Sequence, residues 1–189
     1  MVRVLGVIPA RGGSKRIPRK NLRILAGSPL ISYTIRAAQE AKSLTDWIVS
    51  TEDHEIEQVA HSYGAHVLKR PDRLAQDHSS TADVLHHALT AMGRYDMVVC
   101  LHPTSLLRQA KHIDEAVALL SQSDAPSLAS VVCNKRCYIH NAAIYALKVP
   151  LPDNHYSDES IPYLMDARSS IDIDEELDLK TAELYLSWH

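Results

Sequence analysis

A short cationic segment follows the first apolar run of the chain. Six basic residues and no acidic residue lie between Arg11 and Arg23. The consecutive glycines Gly12 and Gly13 allow the backbone to adopt positive φ and to approach an anion closely. Arginine offers phosphate oxygens a planar fork, and lysine offers a point charge. Residues 9–21, which we call the basic loop, are therefore predicted to hold a nucleoside triphosphate; the alternative is a solvated basic turn.

Negative charge is concentrated near the other end of the chain. Asp172 and Asp174 alternate with Ile171 and Ile173, so an extended backbone directs both carboxylates to one side. Carboxylate oxygens, completed by phosphate oxygens, are ligands that Mg²⁺ prefers. The pattern predicts a Mg²⁺ site beside a polyphosphate. The alternative is that Asp174 caps a helix that begins at Glu175.

Strands alternate with helices along the chain, which predicts an α/β fold with a mostly parallel, Rossmann-like sheet flanked by helices. The apolar run from Val2 to Pro9 is typical of a strand covered on both faces. Pro29 marks a helix start, Gly64 a helix stop, and Ser79 or Ser80 another cap. Further strands are predicted at 47–50, 66–68, 97–101, 128–133 and 142–147, and the remaining helices near 56–63, 84–92, 112–121 and 175–186. Ligands of such sheets bind beyond the carboxyl ends of the strands. The basic loop and residues 51–53, 70–81 and 102–108 each follow a predicted strand, so we expect these loops to converge on one edge of the sheet.

Length and charge exclude several classes of protein. The 189 residues predict a single domain spanning 1–189. A net charge of -3 argues against nucleic-acid binding, and an RNA-binding module is disfavoured further because no stacking aromatics lie near the basic loop. We expect no membrane association, because no apolar stretch approaches the roughly 18 residues that span a bilayer and no signal peptide is recognisable.

Three cysteines, Cys100, Cys133 and Cys137, argue against a disulfide framework and favour a cytoplasmic protein. Cys133 and Cys137 together with His140 are conceivable metal ligands. A zinc site usually has a second ligand pair at recognisable spacing, and the sequence has none. Ordinary buried or surface thiols are therefore the favoured interpretation.

Residues 8–21, IPARGGSKRIPRKN, resemble the signature of the CMP–sialic acid synthetase family of cytidylyltransferases, which includes relatives acting on legionaminic and pseudaminic acids. The resemblance spans nearly the whole chain and implies a nucleotide-diphospho-sugar transferase fold, similar to the GT-A class. Its further motifs occur in family order and are VSTED (49–53), RPDRLAQD (70–77), SST (79–81), PTSLLR (103–108), NAAIY (141–145) and SIDID (170–174).

The resemblance implies that CMP passes from CTP to an acidic acceptor, a sialic-acid-like nonulosonic acid, with release of pyrophosphate. It assigns catalytic roles to Arg11, Lys15, Lys20 and Asp174, and Mg²⁺ binding to Asp172 and Asp174. Acceptor contacts fall on His102, Asn141 and Tyr145. The nucleotide-binding residues that it implies are Ala10, Arg11, Gly12, Gly13, Lys15, Lys20, Asn21, Arg70, Asp77, Ser80 and Thr81.

The sequence departs from the family around the acceptor. His102 replaces a glutamine, Leu106 a proline and Ala142 a glycine. Only eight residues separate Val132 from Asn141, where the family holds a longer segment that helps dimerisation and reaches the partner's sugar pocket. Whether the protein forms a homodimer is thus left open. The acceptor is also left open, because Lys135, Arg136, His140 and His102 supply positive charge that would suit a smaller acid such as a phosphonate. A further alternative is a non-catalytic nucleotide-binding homologue.

Overall fold

The computed structural model describes residues 2–134, 137–152 and 159–187. Its strands are β1 (Val4–Pro9), β2 (Ile24–Leu25), β3 (Ser28–Pro29), β4 (Asp46–Thr51), β5 (His66–Lys69), β6 (Met97–Cys100), β7 (Ser127–Asn134), β8 (Cys137–Lys148) and β9 (Ile161–Met165). Its helices are α1 (Leu30–Glu40), α2 (His54–Ser62), α3 (Thr81–Met92), α4 (Ala110–Ser121) and α5 (Glu176–Ser187), with 3₁₀ turns at Lys20–Leu22 and Asp72–Leu74.

Seven strands form one sheet in the order β5-β4-β1-β6-β8-β7-β9, while β2 and β3 pair separately. Four of the six pairings in that sheet are parallel; the two that involve β8 are antiparallel. The prediction of a mostly parallel sheet is confirmed. The antiparallel part has a simple cause: only two residues separate β7 from β8, and so short a connection joins antiparallel strands.

The first strand is buried on both faces, as its continuous hydrophobicity predicts. Val4 and Ile8 pack in the cluster that α1, α2 and α4 share with the sheet. Leu5 and Val7 pack on the opposite face with residues of α3. Each such side chain contributes about 1.5–3 kcal/mol by leaving water. The strand that carries the basic loop is therefore anchored from both sides.

A third apolar cluster brings the two ends of the chain together. Ile17 of the basic loop and Leu30 of α1 pack with Ile173 and with Leu179 of α5. Ile17 and Ile173 are both fully buried. The segment that carries Asp172 and Asp174 is thereby fixed next to the basic loop.

The helix boundaries follow the signals in the sequence. Helix α1 begins directly after Pro29, and Gly64 follows α2 with φ +79°. Of the two candidate serines, Ser80 caps α3, because its hydroxyl accepts a hydrogen bond from the amide of Asp83 at 3.1 Å. Ser79 instead bonds to the preceding loop through Gln76 and Arg73.

Two elements are absent from the sequence-based prediction, the β2–β3 ribbon and strand β9. β9 contains Pro162, which argues against a strand because proline cannot donate to the ladder. The strand lies at the edge of the sheet and pairs only with β7, so one missing donor is tolerated. The ribbon strands are two residues each, too short for a periodic pattern.

Among the residues described, no helix has the length and apolar character needed to cross a bilayer.

Candidate active site

Two adjoining cavities open beyond the carboxyl ends of the parallel strands, where the sequence predicts ligand binding. The larger, about 410 Å³, lies between the basic loop, the loop after β6 and Asp174. The smaller, about 240 Å³, is lined by residues that include Arg70, Ser80 and Thr81. Arg11 and His102 border both cavities. The loops predicted to converge on one edge of the sheet therefore do so.

The basic loop is held in place by two acidic residues that follow β4. The amide of Gly12 donates to Glu52 Oε1 at 2.8 Å. Arg19 adopts a left-handed backbone conformation, φ 55°, and its guanidinium binds both carboxylate oxygens of Asp53. The hydrogen bond from Arg19 is the main cause that lowers the pKa of Asp53. Asp53 also caps α2 by accepting from the amide of Ile56 at 3.0 Å, so one carboxylate anchors both loop and helix.

The reason for glycine at positions 12 and 13 differs from the one predicted. Neither residue has positive φ; in the described residues the glycines with positive φ are Gly27, Gly64 and Gly93. A Cβ at Gly12 would overlap the carboxylate of Asp53, whereas a Cβ at Gly13 would meet nothing. The prediction based on positive φ is therefore wrong. Gly12 is required by the close approach of Asp53, not by a turn conformation.

Asp77 pairs with two cations of the basic loop. Arg11 Nη1 donates to Asp77 Oδ1 at 2.7 Å, and Lys15 forms an ion pair with Oδ2. The hydrogen bond from Lys15, and to a smaller extent that from Arg11, lowers the pKa of Asp77. The carboxylate is about half exposed, so it lies at the mouth of the cavities and not in the core.

Other residues predicted to bind a nucleotide surround this pair. Ala10 is fully buried and extends the β1–β4 ladder by donating to the carbonyl of Ser50. Asn21 is 7% exposed and donates through Nδ2 to the carbonyl of Arg11 at 3.0 Å, so its side chain shapes the basic loop from within. Thr81 is the first residue of α3 and borders the smaller cavity. Their contacts with a nucleotide stay predictions.

Lys20 joins the basic loop to the acidic segment. Its ammonium donates to the carbonyl of Ile173 at 2.5 Å and lies 3.3 Å from Asp174 Oδ1. Arg16 contacts the other oxygen of Asp174 at 3.0 Å. The amide of Ile173 in turn donates to the carbonyl of Thr104 at 3.1 Å. The extended segment is thus pinned between the basic loop and the loop after β6.

The two aspartates of this segment differ in environment. Asp172 is mostly buried, and burial raises its pKa above the usual range. Its Oδ1 atom has no hydrogen-bond partner within the described part of the chain. The side chain of Asp174 is 54% exposed and borders the larger cavity. An orphaned buried carboxylate oxygen beside a second carboxylate fits a divalent cation, and hard oxygen donors fit Mg²⁺.

The alternative in which Asp174 caps the last helix is not favoured. The amides of Asp174 and Glu175 both donate to Asp178 Oδ2, at 2.8 and 2.7 Å. Asp178 therefore satisfies the amides that precede α5. The side chain of Asp174 is directed to Arg16 and Lys20 instead, which leaves it available to the cavity.

His102 and Tyr145, two residues predicted to contact the acceptor, lie together. Their rings are 5.9 Å apart in an edge-to-face arrangement. Burial, with a smaller effect of the Arg108 charge, lowers the pKa of His102 to about 4, so the ring is neutral at pH 7. His102 therefore supplies no positive charge to a small acid, contrary to the expectation from sequence.

Asn141, the third predicted acceptor residue, is buried and fully engaged. Its Oδ1 accepts from the hydroxyl of Ser130 at 2.5 Å and from the amide of Ala143 at 3.2 Å. Its Nδ2 donates to the hydroxyl of Ser170 at 2.8 Å. These bonds tie the sheet to the turn that precedes Asp172. A direct contact with an acceptor stays a prediction.

Cys133, Cys137 and His140 do not form a metal site. Cys133 pairs across the hairpin with Tyr138, so it shares a sheet face with Tyr138 and His140, whereas Cys137 points to the other face. In the part of the chain that the structure describes, no group of three or more His, Cys, Asp or Glu side chains is placed to hold a metal. Lys135 and Arg136, the other cations proposed for a small acid, lie outside the described residues.

Sequence reasoning assigned no role to Glu52, Asp53 or Arg108. Glu52 and Asp53 directly follow a buried strand, which is the signal that could have marked them as partners of the basic loop. Arg108 is 2% exposed and donates through Nη1 to the carbonyls of Ala143 and His102. Burial lowers its pKa to about 10, so it stays charged at pH 7. A buried, charged Arg108 beneath His102 is not recognisable without the fold.

The mostly parallel sheet, the cationic loop beyond its first strand and the carboxylate of Asp174 in the same cleft define a Rossmann-like nucleotidyltransferase. The fold is similar to a solved structure of CMP:2-keto-3-deoxy-manno-octonic acid synthetase complexed with CTP. That match has a TM-score of 0.78 over 98% of each chain, at 16% sequence identity. At this identity the similarity establishes the fold alone.

The chain belongs to the cytidylyltransferase family, whose family model matches residues 5–186. It is 34% identical to the CMP-N,N'-diacetyllegionaminic acid synthase of Legionella pneumophila, over 96% of this chain and 95% of the relative. It is 29% identical to the N-acylneuraminate cytidylyltransferase of Escherichia coli O18:K1:H7 over 95% of this chain. The chain spans about half of that relative, 51% of its length.

The alignment with the Legionella relative also bears on the shortened segment. It runs over 224 positions, more than the 189 residues of this chain. The relative therefore carries additional residues within the matched region. That these residues lie between Val132 and Asn141 stays a prediction.

Proposed function

We propose that the protein is a Mg²⁺-dependent cytidylyltransferase that transfers CMP from CTP to an acidic sugar and releases pyrophosphate. The observation that carries the proposal is the contact of Lys20 with both Ile173 and Asp174, which holds the basic loop against the acidic segment. A polyphosphate in the larger cavity would lie between cations and carboxylates, as a metal–polyphosphate requires. Family membership and the names of the relatives support CTP as the donor.

The two cavities suit the two halves of a nucleotide. The larger one, lined by Arg11, Lys15 and Lys20, takes the triphosphate. The smaller one, lined by Arg70 and Thr81, takes the ribose and the base. To bind Arg11 and Lys15, the triphosphate has to replace the carboxylate of Asp77 as their partner. Nucleotide binding therefore exchanges one set of ion pairs for another at the mouth of the cleft.

Asp172 and Asp174 would hold the metal. The orphaned Oδ1 atom of Asp172 and the accessible carboxylate of Asp174 fit Mg²⁺. When bound there, Mg²⁺ would polarise the α-phosphate and lower the pKa of the acceptor hydroxyl. Lys20 contacts the backbone of this segment and one of its carboxylates, so it keeps both aspartates beside the phosphates.

In the proposed reaction the acceptor hydroxyl oxygen forms a bond to the α-phosphorus while the bond to the α,β-bridging oxygen breaks. The hydroxyl proton passes to solvent, and the electron pair of the broken bond leaves with pyrophosphate. Arg11 and Lys15 stabilise the charge that builds up on the leaving group. Because this chemistry rests on position and charge, it requires no nucleophilic side chain.

For the acceptor we propose a nonulosonic acid. The names of the relatives, which specify N-acylneuraminate and N,N'-diacetyllegionaminic acid, support this class. His102 and Tyr145 are the described residues that we expect to contact it, because their paired rings adjoin the larger cavity through His102. A neutral His102 favours contacts with hydroxyl or amide groups over a contact with a small anion.

Pyrophosphate release with CTP, Mg²⁺ and a panel of acceptors tests the proposal. We expect turnover with nonulosonic acids and not with phosphonates; the reverse would favour the smaller acid. Binding of CTP without turnover for any acceptor would indicate a non-catalytic homologue. Sedimentation of the same preparation tests the homodimer.

The variant Asp174→Asn tests the metal assignment. It should abolish turnover and leave the affinity for CTP in EDTA within about twofold of the wild type, because the metal contact is lost and the cationic loop is retained. The control is Glu176→Gln. Glu176 lies two positions after Asp174, is exposed and pairs with Arg23. Full activity of Asp174→Asn would rule out a role for this carboxylate in holding the metal.

A further inference from the structure

Glu52 contacts two separate parts of the cleft with its two carboxylate oxygens. Oε1 accepts from the amide of Gly12 in the basic loop at 2.8 Å. Oε2 accepts from Arg70 Nε at 3.0 Å and from Arg70 Nη2 at 2.9 Å. Gly12 and Arg70 follow different strands, β1 and β5, and Glu52 follows β4, which lies between these strands in the sheet.

The pair formed by Glu52 and Arg70 is largely removed from water. The side chain of Arg70 is 3% exposed and that of Glu52 is 16% exposed. The backbone of Arg70 is also fixed, since its amide donates to the carbonyl of Thr51 at 3.0 Å. Without Glu52 the guanidinium of Arg70 would be a buried charge with no acidic partner, which is unfavourable and would change its position.

The neighbouring acids act differently. Asp53 binds Arg19 and caps α2. Asp77 binds Arg11 and Lys15 from an exposed position, where a triphosphate would replace it. Glu52 stays beneath the cleft, because its partners are a backbone amide and a buried guanidinium. It is therefore suited to position the site and not to exchange with a ligand.

We propose that Glu52 is a positioning residue that sets the spacing between the phosphate-binding loop and the pocket for the ribose and base. The inference rests on the proposed function, because it assigns the larger cavity to the phosphates and the smaller one to the nucleoside. Through Gly12 it orients the basic loop, and through Arg70 it orients the wall of the smaller cavity. Both halves of the nucleotide site depend on this one carboxylate.

The variant Glu52→Met tests the inference, because methionine keeps the approximate length of the side chain but has no carboxylate oxygen to accept at either end. We measure the affinities of cytidine alone, tripolyphosphate alone and CTP by calorimetry or NMR titration. Each affinity is expected to fall by about tenfold, the effect of losing a hydrogen bond to a charged group. In steady state the KM for CTP rises by a similar factor, while kcat and the KM for the acceptor change less than about twofold.

Glu55→Met is the matched control. Glu55 follows the same strand and binds Arg19, but its side chain is 70% exposed. We expect the control to bind cytidine and tripolyphosphate with the affinities of the wild type. If Glu52→Met lowers the folded fraction, Glu52→Asp is titrated instead. Aspartate keeps the charge but shortens the reach, so the binding of both cytidine and tripolyphosphate should weaken.

The possible failures are distinguishable. Fragment affinities equal to those of the wild type, with only a lower melting temperature, would overturn the inference and leave Glu52 a purely structural role. Weaker binding of only cytidine or only tripolyphosphate would also overturn the inference, because the carboxylate would then not join the two halves of the nucleotide site. A wild-type protein that binds neither CTP nor tripolyphosphate contradicts the proposed function itself.

Discussion

Lys20 and Asp174 form an ion pair of 3.3 Å although they lie 154 positions apart in the sequence. The same ammonium donates to the carbonyl of Ile173, and the side chain of Lys20 is only 12% exposed. One largely buried cation thus joins the loop after the first strand to the segment before the last helix. Ile17 and Ile173, which lie in one apolar cluster, hold the same two segments together.

Lys20→Met should separate these two segments. We expect the free energy of unfolding to fall by about 1.5 kcal/mol, because a hydrogen bond from a charged group to a buried carbonyl is lost. Urea unfolding at pH 7 measures the change. Lys15→Met is the control, since Lys15 is 78% exposed and its ion pair is a surface pair, so its unfolding midpoint should stay that of the wild type. Equal destabilisation by both variants would contradict the role of Lys20 as a tether.

Gly12→Ala should weaken nucleotide binding, and Gly13→Ala should not. A methyl group at position 12 overlaps Asp53 and must displace either the carboxylate or the loop, whereas a methyl group at position 13 enters open space. We expect the affinity for CTP to fall tenfold or more in the first variant, about the effect of losing one charged hydrogen bond, and to change less than about twofold in the second. Calorimetric titration measures both. Similar losses in the two variants would indicate that backbone flexibility, not the contact with Asp53, sets the requirement for glycine.

Much of the fold can be predicted from the sequence, because its signals are local. The apolar run of β1, the proline before α1, the glycine after α2 and the cap at Ser80 each act within a few residues. β9 escapes prediction for a physical reason. Its proline is disfavoured in a strand in general and is tolerated here because the strand lies at an edge.

The candidate site divides in the same way. The cations of the basic loop and the alternation of Asp172 and Asp174 with isoleucines are visible as spacing. The structure brings the cations and Asp174 to one cleft. The partners that orient them are not visible, because Glu52 and Asp77 meet the basic loop only through tertiary contacts. The burial of His102 is likewise a property of its neighbours. The charge of a histidine at pH 7 therefore cannot be inferred from its position in a motif.

Ala142→Gly should stabilise the protein. Ala142 has φ +55° in the left-handed region, which costs a residue with a Cβ about 1 kcal/mol or more. Glycine removes this strain but makes the unfolded chain more flexible, so we expect a net gain of about 0.5 kcal/mol in the free energy of unfolding. Ala143→Gly is the control: Ala143 is fully buried without positive φ, and the change should destabilise by about 1 kcal/mol. Urea titrations with a common m-value measure both; destabilisation by Ala142→Gly would show that its backbone is not strained.

His102→Gln should make the protein less sensitive to acid. Burial lowers the pKa of His102 to about 4 in the folded state, against about 6.5 when unfolded. Above pH 6.5 neither state binds the proton, so His102 adds no pH dependence. Between pH 6.5 and 4 the unfolded state binds the proton and the folded state does not. The free energy of unfolding therefore decreases by up to about 1.4 kcal/mol per pH unit and by no more than about 3.4 kcal/mol in all.

Urea unfolding of wild type and variant at pH 7 and pH 4.5 isolates this contribution, because every other titrating group is common to both. The decrease between the two pH values should be smaller in His102→Gln by about 2 kcal/mol. His54→Gln is the control, at a side chain that is 75% exposed, and should decrease as the wild type does. If the two variants respond alike to acid, the ring of His102 is protonated in the folded protein. A ring that titrates at the usual pKa of histidine would be partly charged near pH 7. The preference for a nonulosonic acid over a small acid would then have to be reconsidered.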